Sequence, residues 1–372
     1  MDSCEVLIVG GGPAGSACAC VLRNRGCDVV VMDKATFPRD KVCAGWITPA
    51  VLDELSIDSR EYAQGRVLQP ITGFLTGTIG GPTVLTDYDR IVSYGLRRCE
   101  FDHFLLQRCG ARLRLGEAFR SARHESDDWI VNDAVRAKWL IGAGGNFCPV
   151  ARQFSEAALS TDDPAPVILA QEVEFEMTDA QQAACDISGT HPELYFCRDL
   201  KGYGWVFRKG NVLNIGLGRE HETRLSEHVA AFCDFLHARG RIRFALPTRF
   251  HGHAYRLRTQ VPRVSATNVL LIGDAAGLAS SRSGEGIRPA IESGLLAAST
   301  LLENSDPVAV ATQYAARLQA RLGMGHAESS SHWLPSTART WLGQLLLRNH
   351  WFTRHVVLDR WFLDTQQPVL SL

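Results

Sequence analysis

A buried strand, a loop of three spaced glycines, a helix and a second strand ending in aspartate constrain this chain more than any other feature. Residues 5–9 (EVLIV) read as a fully buried parallel strand, Gly10-x-Gly12-x-x-Gly15 as a tight loop and residues 14–25 as a helix. Residues 28–33 (DVVVMD) read as the second strand, with Asp33 at its end. In that context Gly10 permits the turn, Gly12 lets backbone N–H groups approach a pyrophosphate, and Gly15 lets helix and strand pack closely. The helix N-terminus favours the negative charge, and Asp33 is placed to accept from ribose hydroxyls. A glycine-rich turn with no ligand is the plain alternative, but it does not account for all four features together. The same glycines break the apolar run over residues 6–22, so it is a strand, loop and helix and not a bilayer span.

A second glycine region lies far downstream. Asn268-Val-Leu-Leu-Ile reads as a buried strand, followed by Gly273-Asp274-Ala-Ala-Gly277, then Ser283-Gly284-Glu285-Gly286-Ile287 and a helix of small residues through Ala297. Two such loops in one chain point to one long dinucleotide. Between them, residues 71–78 and 83–86 read as short strands, 100–109 as a helix and 139–143 as a buried strand. From 167 to 218 the pattern becomes a meander of strands, and 225–239 reads as a helix. The nucleotide lobe is thus discontinuous, over 1–70, 90–165 and 255–307, with a sheet lobe inserted over 71–89 and 166–254 and a helical segment over 308–372.

The 39 basic and 40 acidic side chains nearly cancel, and no run of lysine or arginine breaks the balance, so nucleic acid is not an expected partner. Eleven cysteines form no C-x-x-C pair, and the chain opens MDSCEVLIVGGG with no basic and apolar leader before the first strand. A cytoplasmic protein with reduced thiols and no metal site is the expectation.

These loops resemble those of FAD enzymes with the glutathione-reductase fold, in the branch typified by p-hydroxybenzoate hydroxylase. Arg98-x-x-Phe101-Asp102 resembles that branch's arginine beside the flavin, although Arg97 next to it leaves the register open. Three further matches narrow the resemblance. Asp33-Lys34 leads to Lys41-Val-Cys43-Ala44-Gly45 and Pro49, similar to the Cys-Gly loop of geranylgeranyl reductases. Tyr203-x-Trp205-x-Phe207 with Asn214-x-Gly216-x-Gly218 resembles their Tyr-x-Trp-x-Phe-Pro motif and trailing Gly-x-Gly. The Ser-Gly-Glu-Gly-Ile loop is also their form, and the matches run from residue 5 to about 300.

The resemblance implies an α/β fold, with a Rossmann-like FAD-binding lobe, an inserted mixed or antiparallel β-sheet substrate lobe and a helical tail. It assigns to non-covalent FAD Gly10, Gly12, Pro13, Ala14 and Gly15, then Asp33, Lys34, Lys41, Ala44 and Gly45. Arg98, Gly273, Asp274, Gly284, Gly286 and Ile287 complete that set. Free N–H groups of Gly286 and Ile287 would stabilise the negative charge of reduced flavin. Alternation along a strand puts Tyr203, Trp205 and Phe207 on one face, where they would wall an elongated apolar pocket, although three aromatics on a strand are also ordinary core. Cys43 and Tyr203 are the candidate proton donors, with Cys43 as a simple flavin-contacting loop residue the alternative.

The chain departs from the family pattern at four positions. Arg208 stands in place of proline and Ala44 in place of a glycine. An Arg208 facing the pocket would suit a carboxylate or phosphate on the substrate. In 141–152, Gly144 and Cys148 replace an aspartate and a serine, and the aspartate holds NAD(P)H in the hydroxylases. Its loss leaves the electron donor open between NAD(P)H and a ferredoxin-like redox partner.

The expected activity is reduction of a C=C bond in a hydrophobic isoprenoid or lipid-like substrate by hydride transfer from reduced flavin. The rivals are an FAD-dependent monooxygenase working through a C4a-hydroperoxide on a natural-product scaffold, and a non-catalytic lipid-binding flavoprotein. The tail mixes Trp333, Trp341, Trp351, Phe352, Trp361 and Phe362 with Arg348, Arg354 and Arg360. It reads either as a peripheral membrane contact or, more simply, as a segment that packs on the lobes and closes the cavity.

Overall fold

A computed structural model describes residues 1–154, 167–220, 224–257, 267–280, 283–322 and 336–371. Trp333 lies outside the described residues. The first sheet is built on β1 (Asp2–Val9), which pairs in parallel with β2 (Val29–Asp33) and β11 (Val135–Gly142). β8 (Arg112–Leu115) joins β2 in parallel, and β17 (Val269–Leu271) joins β11. β10 (Asp128–Val131) and β9 (Ala122–Glu125) extend the β11 edge antiparallel. Val6 to Val9, Val29 to Met32 and Val269 to Ile272 are all buried, as continuous apolar runs in a sheet covered on both faces must be.

Helix α1 (Pro13–Asn24) follows the first glycine loop, and α5 (Ile287–Glu303) follows the second. Between them in sequence come α2 (Pro49–Glu54), α3 (Arg98–Arg108) and α4 (Leu225–Ala238). α1 and α5 pack directly on one another. A Cβ at Gly294 would collide with the carbonyl of Ala14, so only glycine allows that approach. The two distant glycine loops therefore meet, with Gly273 beside Ala14 and Ala290.

The second sheet has the order β16-β12-β15-β14-β13-β5-β6. Its strands are β16 (His251–Arg256), β12 (Val167–Glu176), β15 (Val212–Glu220), β14 (Gly202–Lys209), β13 (Glu193–Phe196), β5 (Gly73–Thr78) and β6 (Thr83–Asp87). All pairs are antiparallel except β13 with β5. α4 covers one face through Val229, Phe232 and Leu236, in a core with Tyr195, Val206, Ile215 and Leu217. A small third sheet, β3 (Trp46–Ile47), β7 (Ser93–Leu96) and β4 (Leu68–Ile71), lies between the two.

Residues 71–78, read as one strand, are two: Ile71 ends β4 in the third sheet and Gly73 begins β5 in the second. The chain breaks at Thr72, whose N–H turns to the carbonyl of Thr190. β8, β9, β10 and β16 are further strands that periodicity did not reveal. Three of the four are rich in charged or polar residues at a sheet edge, and edges carry little alternation.

Beyond α5, α6 (Pro307–Leu322) packs back on the first sheet, where the Tyr314 hydroxyl donates to the carbonyl of Leu271 at 2.8 Å. α7 (Ser336–Leu346) and a π-helical segment Thr353–Phe362 follow. The extended end is clasped by a buried ion cluster. Arg288 binds Glu54 at 2.9 Å and Glu292 at 2.9 Å, and donates to the carbonyl of Pro368 at 2.9 Å. Arg321 reaches Glu292 and that same carbonyl.

Candidate active site

A continuous cavity of about 630 Å³ runs between the sheets, from the first glycine loop past Asp274 to the aromatic face of β14. Gly10, Gly12, Pro13, Ala14, Asp33, Lys34, Lys41, Ala44 and Arg98 line it, as do Gly273, Asp274, Gly284, Gly286 and Ile287. Gly10 has φ +122°, and a Cβ there would collide with the carbonyl of Ala143, so the turn requires glycine. Gly15 does not line the cavity. Its hydrogen faces the carbonyl of Gly10, which is the helix-to-strand approach expected of it.

The polar groups fit FAD from end to end. One Asp33 oxygen accepts from the N–H of Gly11 at 2.8 Å and the other from the N–H of Ala35 at 2.9 Å. This fixes the carboxylate at the cavity wall, with lone pairs left for a ribose. α1 and α5 both begin at a glycine with no side-chain cap, and both N-termini open on the cavity. Uncapped N–H groups of two long helices aimed at one cleft suit a pyrophosphate at one end and an electron-rich ring at the other. The Asp274 carboxylate stands beside Gly286, 3.2 Å from where a Cβ would be. Burial raises its pKa, opposed by Lys41 and Arg98.

Of the two adjacent arginines, Arg98 lines the cavity and Arg97 does not. Arg98 is buried at the start of α3 and makes a bidentate pair with Asp102 at 2.8 and 2.9 Å, with Arg39 3.4 Å from the same carboxylate. Arg97 points the other way, to Glu100, Glu174 and Glu176. Beside Arg98, the Lys41 ammonium lies 2.9 Å from Nε2 of His253. Burial and Lys41 push that imidazole down to about 4, so it stays neutral and accepts from the ammonium. His253 and Tyr255 belong to β16 and were missed with it. The alternating His251-x-His253-x-Tyr255 is the signal that could have found them.

The Cys43 loop is held by the second sheet. The Cys43 N–H donates to Glu172 at 2.5 Å, its carbonyl accepts from Asn214 Nδ2 at 3.3 Å, and its sulfur accepts from the Gly45 N–H at 3.4 Å. Asn214 Oδ1 in turn accepts from the Trp205 indole at 2.7 Å. One amide thus ties the cysteine loop to the aromatic wall. Behind it the fully buried Lys209 donates to Glu174 at 2.7 Å and to the carbonyl of Leu96 at 2.8 Å. Gly45 does not line the cavity. Any side chain there would crowd Lys209 Nζ, 2.6 Å from its Cβ position, so Gly45 serves this packing.

Glu172 is nearly sealed, and burial pushes its carboxyl up to about 7 from an ordinary 4.5. Between those values the folded protein keeps a proton that the unfolded chain has released. Stability contributed by this group is therefore full below pH 4.5 and lost as pH rises through about 7. Thermal melts from pH 5 to 8 should show a smaller decline in Glu172→Gln than in wild type, by roughly 2–4 °C. Parallel profiles for the two proteins would contradict this.

Tyr203 and Trp205 wall the far end together with Trp46, Tyr255 and Phe362. The Tyr203 hydroxyl donates to the carbonyl of Ser283 at 2.7 Å, and burial raises its pKa. Phe207 projects from the same face but lies beyond the cavity, packed on Trp46 at 5.8 Å. Arg208 does not face the pocket. Strand alternation turns it to the opposite side, where it donates to the carbonyl of Gly210 at 3.1 Å, so it is no anion anchor for the substrate. Phe362 comes from the tail, stacks on Trp46 at 5.6 Å and meets the edge of Tyr203 at 5.2 Å. Glu285 also lines the cavity, its Oε1 buried without a partner and its carboxyl pushed up to about 7 by burial. Among the described residues no cluster of ligands could hold a metal.

The FAD binding domain family matches residues 3–306. The chain belongs to that family. Over 82% of its length and 78% of the other, it is 30% identical to a menaquinone reductase of Mycobacterium tuberculosis. It is 25% identical to a digeranylgeranylglycerophospholipid reductase of Methanocaldococcus jannaschii, covering 80% and 76% of the two chains. The solved structure of a geranylgeranyl bacteriochlorophyll reductase-like protein from Thermoplasma acidophilum has the same fold, with TM-score 0.69, 20% identity and 93% and 88% coverage. The protein is an FAD-dependent oxidoreductase of the geranylgeranyl-reductase type. Its α/β architecture, a largely parallel sheet beside a separate mixed sheet as read from the glycine loops and the meander, is the fold of that solved structure.

Proposed function

We propose that the protein reduces a C=C double bond in a long isoprenoid or lipid-like substrate. The observation that carries this reading is the continuity of the cavity, in which the cleft that fits FAD opens directly into a box of Trp46, Tyr203, Trp205 and Phe362. Such walls take an apolar chain and exclude water from the reacting atoms. Relatives named menaquinone reductase and digeranylgeranylglycerophospholipid reductase support the same substrate class.

Bound FAD, held without a covalent link, supplies the electron pair. The chain's own residues do the rest. Uncapped N–H groups at the start of α5 favour negative charge beside them, and the aromatic box orients the alkene. Cys43 is the proton donor of this reading, its sulfur lying beside Arg98 and accepting from the Gly45 N–H at 3.4 Å. Tyr203 has its proton committed to Ser283 and acts as wall. NAD(P)H or a ferredoxin-like protein reduces the flavin, and the protein works in the cytoplasm with its described cysteines as thiols. The FAD lobe comprises 1–70, 90–165 and 255–307, and the substrate lobe 71–89 and 166–254. Mass spectrometry of the product tests the reading. A polyprenyl substrate should gain two hydrogens, whereas a gain of one oxygen would replace this reading with a monooxygenase.

A further inference from the structure

We infer that the C-terminal segment forms a docking surface for an anionic lipid bilayer. Two contacts fix how α7 lies on the protein. A Cβ at Gly343 would sit 2.5 Å from Leu200, and the Gln344 side chain donates to the carbonyl of Arg198 at 2.6 Å. Leu347, one turn on, is buried. Positions 343, 344 and 347 are therefore the inner face, and helical spacing turns 341, 342 and 345 outward. Those three are Trp341, Leu342 and Leu345, which are 66%, 41% and 47% exposed.

This is an amphipathic helix with its apolar stripe facing away from the protein. The next turn adds Trp351, 64% exposed, and β6, packed against that turn, adds Leu85. Two tryptophans and three leucines exposed on this helix, the turn after it and the strand packed on that turn exceed the scattered apolar residues of an ordinary surface. Tryptophan with flanking cations is the composition of helices that lie in the headgroup region.

The charge names the partner. Residues 336–362 carry Arg339, Arg348, Arg354 and Arg360 against the single acid Asp359, in a chain whose net charge is −1. Asp359 is itself engaged by the Tyr88 hydroxyl at 2.7 Å and by His355. A segment with four arginines and one acid, of which Arg348 and Arg360 are exposed, complements a bilayer of anionic lipid. Among the described residues no helix is long and apolar enough to cross a membrane, so the contact is with the surface.

The same segment ends in Phe362, which closes the cavity against Trp46 and Tyr203. A docked protein thus presents its cavity cap close to the lipid, where an apolar substrate is dissolved. Packing and docking, two readings of the tail, divide along it: Phe362, Val357 and Leu358 face the core, while Trp341 and Trp351 face out. The docking surface stands on exposure and charge, and would hold for a different reaction in the cavity.

Co-sedimentation of the FAD-loaded protein with vesicles tests it. The protein should pellet with vesicles of phosphatidylcholine and phosphatidylglycerol, bind pure phosphatidylcholine more weakly, and be released by salt. Trp341→Ser with Trp351→Ser should weaken partitioning by at least about tenfold while flavin absorbance and melting temperature stay as in wild type. Arg348→Glu with Arg360→Glu should abolish the preference for phosphatidylglycerol. A wild-type protein that stays in the supernatant, or a double tryptophan variant that binds as wild type, would overturn the proposal. So would a wild-type dimer that the tryptophan variant converts to monomer, since a second copy would then cover the face.

Discussion

Gly216→Ala should leave the protein yellow and cost it nearly all substrate reduction, by at least about 100-fold in kcat/KM. Trp205 on β14 lies directly opposite Gly216 on β15, and its indole crosses the space where a side chain would be. A Cβ there would stand 2.5 Å from indole Cε2 and 2.9 Å from the carbonyl of Gln171, nearer than real Cβ atoms come. The backbone of β12 cannot recede, because it is paired on both sides by β15 and β16. The indole must therefore leave, breaking its hydrogen bond to Asn214 and opening the wall of the cavity. Asn214 also holds the Cys43 carbonyl, so the Cys43 loop loosens with it. Overpacking of this kind costs about 1–3 kcal/mol of stability, which a chain of this size tolerates. The flavin-to-protein absorbance ratio and steady-state turnover check both halves; unchanged turnover would remove Trp205 from the substrate wall.

Asp274→Ala should lower FAD affinity by roughly 10- to 100-fold, the effect of losing a hydrogen bond to a charged group. The carboxylate sits where the two glycine loops converge, among Lys41, Arg98 and the N-terminus of α5. It would accept from the cofactor's hydroxyls, and it offsets part of the charge of Lys41 and Arg98, whose direct partners are His253 and Asp102. Asp274→Asn, which keeps an acceptor but not the charge, should fall between. Flavin released on ultrafiltration measures the loss, and full retention by the alanine variant would show that the Gly-Asp pair does not hold FAD.

The cofactor half of the site was legible because its constraints are local. Gly10, Gly12, Gly15 and Asp33 act within one βαβ unit, so their spacing in sequence is their spacing in space. The aromatic end of the cavity is assembled from four distant segments. Trp46, Tyr203 and Phe362 come together only in the folded chain, and no spacing rule connects them. β16 escaped notice because an edge strand with two histidines lacks an apolar repeat, and His253 and Tyr255 went with it. The placement of Arg208 was within reach of the sequence. The alternation that puts Tyr203, Trp205 and Phe207 on one face puts residue 208 on the other. Lys209 shares the aromatic face and is fully buried, a position that its ion pair with Glu174 and its bond to the Leu96 carbonyl make tolerable.

The reduction itself is tested most directly by a single turnover without oxygen. Protein photoreduced under anaerobic conditions is mixed with a polyprenyl substrate, and the flavin absorbance is followed. The oxidised spectrum should return at a rate that depends on the substrate, with one saturated bond formed per flavin. Flavin that stays reduced until oxygen enters, and then yields an oxygenated product, would contradict the account.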